Sequence, residues 1–243
     1  WFWPDVPRYR FDRVAAQSLL EGLGLANRDA DAFMEDAAGT EARFTLLTYR
    51  GNTALERGAQ VLKESLERIG VAVDIVPLEP GALVERMLAD TAAAHDFRYT
   101  ALRYFNVAGA DPEGRTGQST KGATHLIKVA CETAAGKRPS MEIFGADYPT
   151  RDGTGIRDYI HVTDLVDAHY LALERLRAGG ASMTANCGYG SGYTVREVVD
   201  AVKKASGVDF DVSVSPRRAG DAISVVANPG TAMRELGWKP ACN

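Results

Sequence analysis

A chain of 243 residues that is 45% hydrophobic and 25% charged has the composition of an ordinary folded domain, or of two small ones. The formal net charge is -4 and the 28 Lys and Arg are scattered along the chain, which leaves no basic stripe for nucleic acid. No apolar run approaches the ~20 residues that a membrane span needs. Cys131, Cys187 and Cys242 are far apart, form no C-x-x-C and are odd in number, so buried thiols in a reducing, cytoplasmic compartment are expected. The opening Trp1-Phe2-Trp3-Pro4-Asp5 has no basic start and no small-residue cleavage site, so it does not read as a signal peptide. A start without Met reads as a processed, truncated or open fragment.

In chain order, residues 13–22 predict a helix with Val14, Leu19, Leu20 and Leu23 roughly on one side, followed by a polar stretch over 27–41. Residues 44–49 are β-type, and Gly51-Asn52 turns the chain into a helix over 53–69. There Leu55, Ala59, Leu62, Leu66 and Ile69 recur at spacings of 4, 3, 4 and 3, an amphipathic stripe stopped by Gly70. A strand over 71–76 completes one βαβ unit. A helix over 83–94, a strand over 99–105 and a polar loop over 109–122 come next. They are followed by a helix over 124–135, an apolar Ile143-Phe144 segment and a long loop over 145–157. After a helix beyond Thr163 and a strand over 183–187, Thr194 and Glu197 form a capping box for a helix to Lys204. Strands over 210–214 and near Val225-Val226, and a short helix begun by Pro229, end the chain.

Two stretches carry more specific information. Tyr9-Arg10-Phe11-Asp12, Ala15-x-x-x-Leu19-Leu20-x-x-x-Gly24, Phe44-Thr45-Leu46-Leu47-Thr48 and Leu66-x-x-Ile69-Gly70-Val71-x-Val73 form a pattern of core residues. In it, residues 7–83 resemble a fragment of the peptide-type solute-binding proteins of ABC importers. The other stretch starts with Ala101-Leu102-Arg103-Tyr104-Phe105-Asn106-Val107-Ala108-Gly109-Ala110. It continues through Asp147-Tyr148-Pro149-Thr150-x-Asp152-Gly153-Thr154-Gly155-Ile156-Arg157-Asp158-Tyr159-Ile160-His161-Val162. Asn186-Cys187-Gly188-x-Gly190, Pro216-Arg217-Arg218-x-Gly220-Asp221 and Leu236-Gly237-Trp238 follow. From about residue 88 onward the chain thus resembles the substrate-binding part of the UDP-glucose 4-epimerases, which are extended short-chain dehydrogenase/reductases. The expected fold is α/β in two pieces. Residues 1–85 would be an importer-like βαβ fragment and 86–243 a UDP-sugar-binding part, with a complete Rossmann domain absent.

The resemblance implies an NAD-dependent isomerase of galactose metabolism, but its catalytic elements are not in this sequence. None of the nine tyrosines has a lysine four positions on, so the family's Tyr-x-x-x-Lys pair is missing. Gly22-Leu23-Gly24 and Gly188-Tyr189-Gly190-Ser191-Gly192 lack a third glycine at the right spacing and the downstream acid of a dinucleotide loop. No catalytic residue and no bound NAD are therefore expected in this chain alone. The four histidines show no metal-ligand spacing, so no metal site is expected, and His161 and His169 read as structural.

For the substrate part, the resemblance makes Arg157 and Arg218 diphosphate ligands, a role for which the planar guanidinium fork is suited. A surface salt bridge is the alternative. Asp221 would accept from the ribose hydroxyls, or cap a loop. Asn106 would bind the sugar nucleotide at a strand end, or be a plain turn residue. His125-Leu126 matches the pair ahead of the uridine-side helix. Residues 141–144, including Met141, match the uracil clamp, with Phe144 as stacking ring or as a buried edge-strand residue. Tyr159 would lie near the phosphates. Tyr104 and Phe105 would lie beside nicotinamide and sugar, or be core aromatics. The expected function is UDP-sugar binding without activity, with a second copy of the chain as the candidate protein partner. The rivals are an importer's peptide-binding fragment, which would place the chain in the periplasm, and a structural chimera without ligand. A sugar-nucleotide dehydratase or decarboxylase is disfavoured by Asp152-Gly153-Thr154-Gly155.

Overall fold

A computed structural model describes residues 11–242. The chain divides into two compact units, the first ending at His95 and the second beginning at Asp96. The sequence boundary near residue 85 falls inside a helix that belongs wholly to the first unit.

In the first unit, α1 (Arg13–Gly22) starts where the Asp12 carboxylate accepts the Ala15 amide at 3.0 Å. The expected helix forms, yet none of its residues is buried, and Leu19 and Leu23 are 72% and 79% exposed. The stretch over 27–41 carries only isolated bridges, Ala26 with Glu35 and Glu35 with Glu41. β1 (Arg43–Tyr49), α2 (Thr53–Glu67) and β2 (Ala72–Leu78) form the βαβ unit, with β1 and β2 parallel from Arg43↔Ala72 to Tyr49↔Leu78. Gly70 makes the sharp exit from α2 at φ +87°, and a Cβ there would meet Met34 Cγ at 2.8 Å. α3 (Pro80–Ala94) begins three residues before the expected position, because Pro80 sits in the first turn, where a missing N–H costs nothing. The unit's interior is thin: Ala59, Val71, Ala72 and Val73 are buried between α2 and the strands, while Leu55 and Leu62 of the predicted stripe are half exposed.

The second unit is built from short, mostly parallel pairs. β3 (Thr100–Arg103) pairs with β8 (Met183–Asn186), and β4 (Asn106–Ala108) with β7 (Tyr159–His161). β5 (Met141–Phe144) pairs with β10 (Val212–Ser215). β6 (Ile156–Arg157) lies between β11 (Ser224–Val225) and the antiparallel β9 (Tyr193–Thr194). The strand predicted over 99–105 is therefore two strands. The chain leaves β8 after Arg103 and joins β7 at Asn106, so Tyr104 and Phe105 form the step between partners. The predicted loop over 145–157 ends in β6. That strand, β7 and β9 are two- or three-residue pairings too brief to leave a period in the sequence. Helices α4 (Leu126–Ala134), α5 (Val162–Arg177), α6 (Val195–Ser206) and α7 (Gly230–Leu236) cover these pairs. One core joins α5, α7, β7 and β8 around Ile160, Leu165, Ala168, Cys187 and Trp238; the other joins α4, α6, β5 and β10 around Ala130, Met141, Ile143, Val199 and Phe210. The capping box on α6 is complete, Thr194 Oγ1 accepting the Glu197 amide at 3.1 Å and Glu197 accepting the Thr194 amide at 2.8 Å. Among the described residues no helix is long and apolar enough to cross a membrane.

Candidate functional site

The second unit holds a cleft of about 1130 Å³. It is walled by the β4–β7 pair with β6, by the start of α4, by β5 and by the loop after β10. Asn106 is the first residue of β4 and lies opposite Tyr159 in the parallel register, so the strand switch after Phe105 brings both to this wall. Arg157, two residues earlier on β6, turns into the same space and donates to the Ile156 carbonyl at 2.8 Å. Burial pushes the Tyr159 phenol up to about 12, with Arg157 opposing, so Tyr159 is a neutral hydroxyl at physiological pH.

Across the cleft, His125 is the N-cap of α4 without a side-chain cap bond, its Nδ1 lying 2.7 Å from Gln118 Nε2, and Leu126 follows it into the wall. Met141 is only 3% exposed and packs chiefly into the core with Ile143. Phe144 reaches the cleft at the end of β5, and the Arg218 guanidinium lies 3.7 Å from its ring centroid. Asp221 completes the rim, its amide donating to the Arg218 carbonyl at 3.3 Å while its carboxylate makes no hydrogen bond among the described residues. All nine substrate-side candidates thus meet in one cavity. Tyr104 and Phe105 do not: each is 43% exposed, which removes them from the core, and neither lines the cleft, Tyr104 packing edge-on against His169.

Charge pairing separates the arginines. Arg138 pairs with Glu132 at 2.7 Å, Arg217 with Asp147 at 2.7 Å, and Arg151 with Glu197. Among the described residues, Arg157 and Arg218 form no ion pair. Two cationic groups without carboxylates in one concave wall are what an anionic ligand requires.

Motif residues given no role in the sequence turn out to hold this wall in place. Asp158 is 2% exposed, and its carboxylate accepts the amides of Tyr189, Gly190 and Ala227, each at 3.1 Å. Asp152 accepts from the Thr154 amide and hydroxyl at 2.8 and 2.7 Å and from the Thr194 hydroxyl. Asp164 accepts from Tyr189 Oη at 2.6 Å and from the amides of Ala241 and Cys242 at 2.8 and 2.9 Å. Burial works against the charged form of both Asp152 and Asp164, and these donors hold their carboxyls below the usual range. Gly109, also on the cleft, has no room for a side chain, since a Cβ would meet His161 Nε2 at 2.1 Å. For Asp152, Asp158 and Gly109 the signal was their acid or glycine character inside a quoted motif; Asp164 lies two residues beyond it. His161 Nδ1 accepts the Thr163 amide at 3.2 Å and His169 Nδ1 lies 2.8 Å from the Leu165 carbonyl, so each has a backbone partner.

Two further places bear on cofactors. In the first unit, Asp29, Asp31 and Glu35 bring carboxylate oxygens within 4.8 Å of one another, a grouping not anticipated from the sequence, but all three already accept backbone amides. The turn from β1 into α2 is where a dinucleotide fold presents free amides to a pyrophosphate. Here the Asn52 side chain accepts the Leu55 amide at 3.1 Å and the Glu56 carboxylate accepts the Gly51 amide at 3.0 Å. Two of the turn's amides are thus occupied and the Glu56 carboxylate adds negative charge, a poor match to a pyrophosphate.

Residues 82–188 match the NAD dependent epimerase/dehydratase family. A crystal structure of the UDP-glucose 4-epimerase of Brucella ovis in complex with NAD is similar at a TM-score of 0.66 and 32% identity, over 95% of this chain and 78% of that one. The chain belongs to the UDP-glucose 4-epimerase family. A UDP-glucose 4-epimerase of Azospirillum brasilense is 56% identical over 169 residues, which are 68% of this chain and 49% of that protein. The Bifidobacterium longum epimerase, solved with NAD+ and UDP, is 36% identical with a TM-score of 0.63, over 67% of this chain and 49% of that one. The chain spans about half the length of the curated relatives it matches.

Proposed function

We infer that the second unit binds a UDP-hexose of the UDP-glucose and UDP-galactose type in the cleft between β4, α4, β5 and the loop after β10. The observation that carries this reading is the pair of guanidiniums, Arg157 and Arg218, that face the cleft without carboxylate partners. Asp221 stands beside them as an acceptor for ribose hydroxyls, and Asn106 and Tyr159 are neutral hydrogen-bonding groups for phosphate or sugar. The Bifidobacterium longum relative was solved with NAD+ and UDP, which supports a UDP-containing ligand here.

Epimerisation is a different matter. Removing hydride from the sugar needs the nicotinamide and a proton acceptor at contact distance. The chain carries no Tyr-x-x-x-Lys pair, and its β1–α2 turn is already capped. We therefore assign it binding without turnover and without NAD of its own. In this reading residues 7–83 are an importer-type solute-binding fragment, motivated by their pattern of core residues. The three free cysteines favour a reducing, cytoplasmic compartment. Association of two copies belongs to the same reading, motivated by the exposed row Val166, Tyr170 and Leu173 on α5; a monomer in sedimentation would remove it.

Calorimetric titration of the full chain with UDP-glucose and, separately, with NAD tests the assignment. Heat that saturates with UDP-glucose and not with NAD is expected. Silence toward UDP-glucose would sink the binding role.

A further inference from the structure

The outer side of α1 is apolar and uncovered. Phe11, Val14, Leu19 and Leu23 are 77%, 74%, 72% and 79% exposed, and Ala15, Ser18 and Gly22 lie exposed between them. With about 3.6 residues per turn these positions share one half of the helix surface, while the half-buried Ala16, Gln17 and Leu20 face the unit. The charges of the segment are drawn off this side. Arg13 turns inward and donates to the Arg68 carbonyl at 2.8 Å, Asp12 is taken up by the Ala15 amide at the helix end, and Glu21 falls at the rim. The face lies outside the family match over 82–188.

We propose that this face is an interface with a second copy of the chain, the two α1 helices packing antiparallel about a two-fold axis beside Ser18 and Leu19. In that register Val14 meets Leu23 of the second copy, Ala15 meets its Gly22 and Ser18 meets its Leu19, and the two-fold repeats each contact. Ala15 against Gly22 lets the backbones approach, and Leu19 fills the space over Ser18. A side without charge offers a charged partner nothing to select, whereas its own spacing supplies its complement. The four large side chains expose roughly 450 Å² of apolar surface, against about 800 Å² per partner in a standard interface. Contiguous apolar surface of this size marks an interaction site, and the shortfall makes the pair a weak one in the micromolar range. The pairing depends neither on the cleft nor on the α5 row.

Sedimentation equilibrium of the full chain in a Tyr170→Glu background, which takes out the α5 row, tests it. This parent should dimerise as its concentration rises to about 100 µM, the range of a small interface. Adding Leu19→Glu, or separately Leu19→Lys, should leave a monomer throughout, because like charges then meet across the two-fold axis. An equimolar mixture of the Glu and Lys forms should dimerise again, which only pairing of α1 with α1 would give. The pairing is overturned if the parent stays monomeric, if Leu19→Glu leaves its association unaltered, or if the mixture remains monomeric. A monomeric parent that pellets with phosphatidylglycerol vesicles, and loses this with Leu19→Glu, would give the face to a lipid surface instead.

Discussion

Arg218 and Asp158 lie in motifs of equal clarity, yet they act at different distances from any ligand. Truncating Arg218 to Ala removes a charge-assisted donor, and UDP-glucose affinity should fall by about 1.5 to 3 kcal/mol with the melting temperature little changed. Equal affinity in the mutant would take Arg218 out of the site. Asp158 should behave in the opposite sense. Its carboxylate gathers three amides from two loops, so Asp158→Asn turns an amide N–H toward donors and should cost about 1 to 3 kcal/mol of unfolding free energy. Urea unfolding of the second unit is the measurement, and an unshifted midpoint would refute it. Tyr159 gives a pH signature. Its folded value near 12 lies above the ordinary value of 10, so its contribution to stability is intact below pH 10 and is lost as pH rises toward 12. Tyr159→Phe should flatten that alkaline loss in a pH-dependent melt.

At the level of elements, helices were legible where caps and stops are local. The Gly51-Asn52 turn, the Gly70 stop and Thr194 with Glu197 are read from four or five consecutive residues, whereas the Asp12 cap of α1 was not read. The strand switch after Arg103 was not legible, because the partners β8 and β7 are chosen by residues more than 50 positions away. The same switch explains why Tyr104 and Phe105, apolar by composition, end half exposed. The start of α6 also carries an acid-sensitive feature. Arg151 first, and then the Thr194 amide, hold the Glu197 carboxyl down to about 2, from an ordinary 4.5. Stability from this group is therefore present above about pH 4.5 and lost as pH falls toward 2, with Asp152 and Asp164 acting in the same direction. Thr194→Ala removes the cap and the donor to Asp152 together, and should cost about 1 to 3 kcal/mol. Circular dichroism in denaturant reads this, and a loss below about 0.5 kcal/mol would argue that α6 does not depend on its cap.

For the whole molecule, the distribution of buried side chains predicts an order of opening. In the first unit α1 and α3 bury no residue, whereas the second unit encloses Trp238 and Ile160 at 1% exposure. Amides of β1 and β2 should exchange at lower free energy than those of β7 and β8, and proteolysis should cut within 27–41 before it reaches β3. Equal protection in the two units would overturn this. Asn106, Arg157, Tyr159, Arg218 and Asp221 were singled out because they lie in the quoted strings, and the structure places all nine substrate-side positions on one cleft. What the strings did not convey was which of their charged residues face the cleft and which serve as internal fasteners. That depends on partners such as Tyr189 and Ala227, supplied from distant segments.

Asp164 is one of those fasteners, and it ties the exposed residues 241–242 to a buried carboxylate. Its two oxygens receive the amides of Ala241 and Cys242, and its own carbonyl accepts the Trp238 indole at 2.9 Å. The C-terminal segment therefore works as a plug over the first turn of α5 rather than as a trailing end. Anything that pulls residues 241–242 away uncovers a carboxylate 1% exposed and leaves it only the Tyr189 hydroxyl, a link that leads through the His161 amide to β7 and the cleft wall. Loosening residues 241–242 would be transmitted to the cleft-lining strand on the far side of Tyr189.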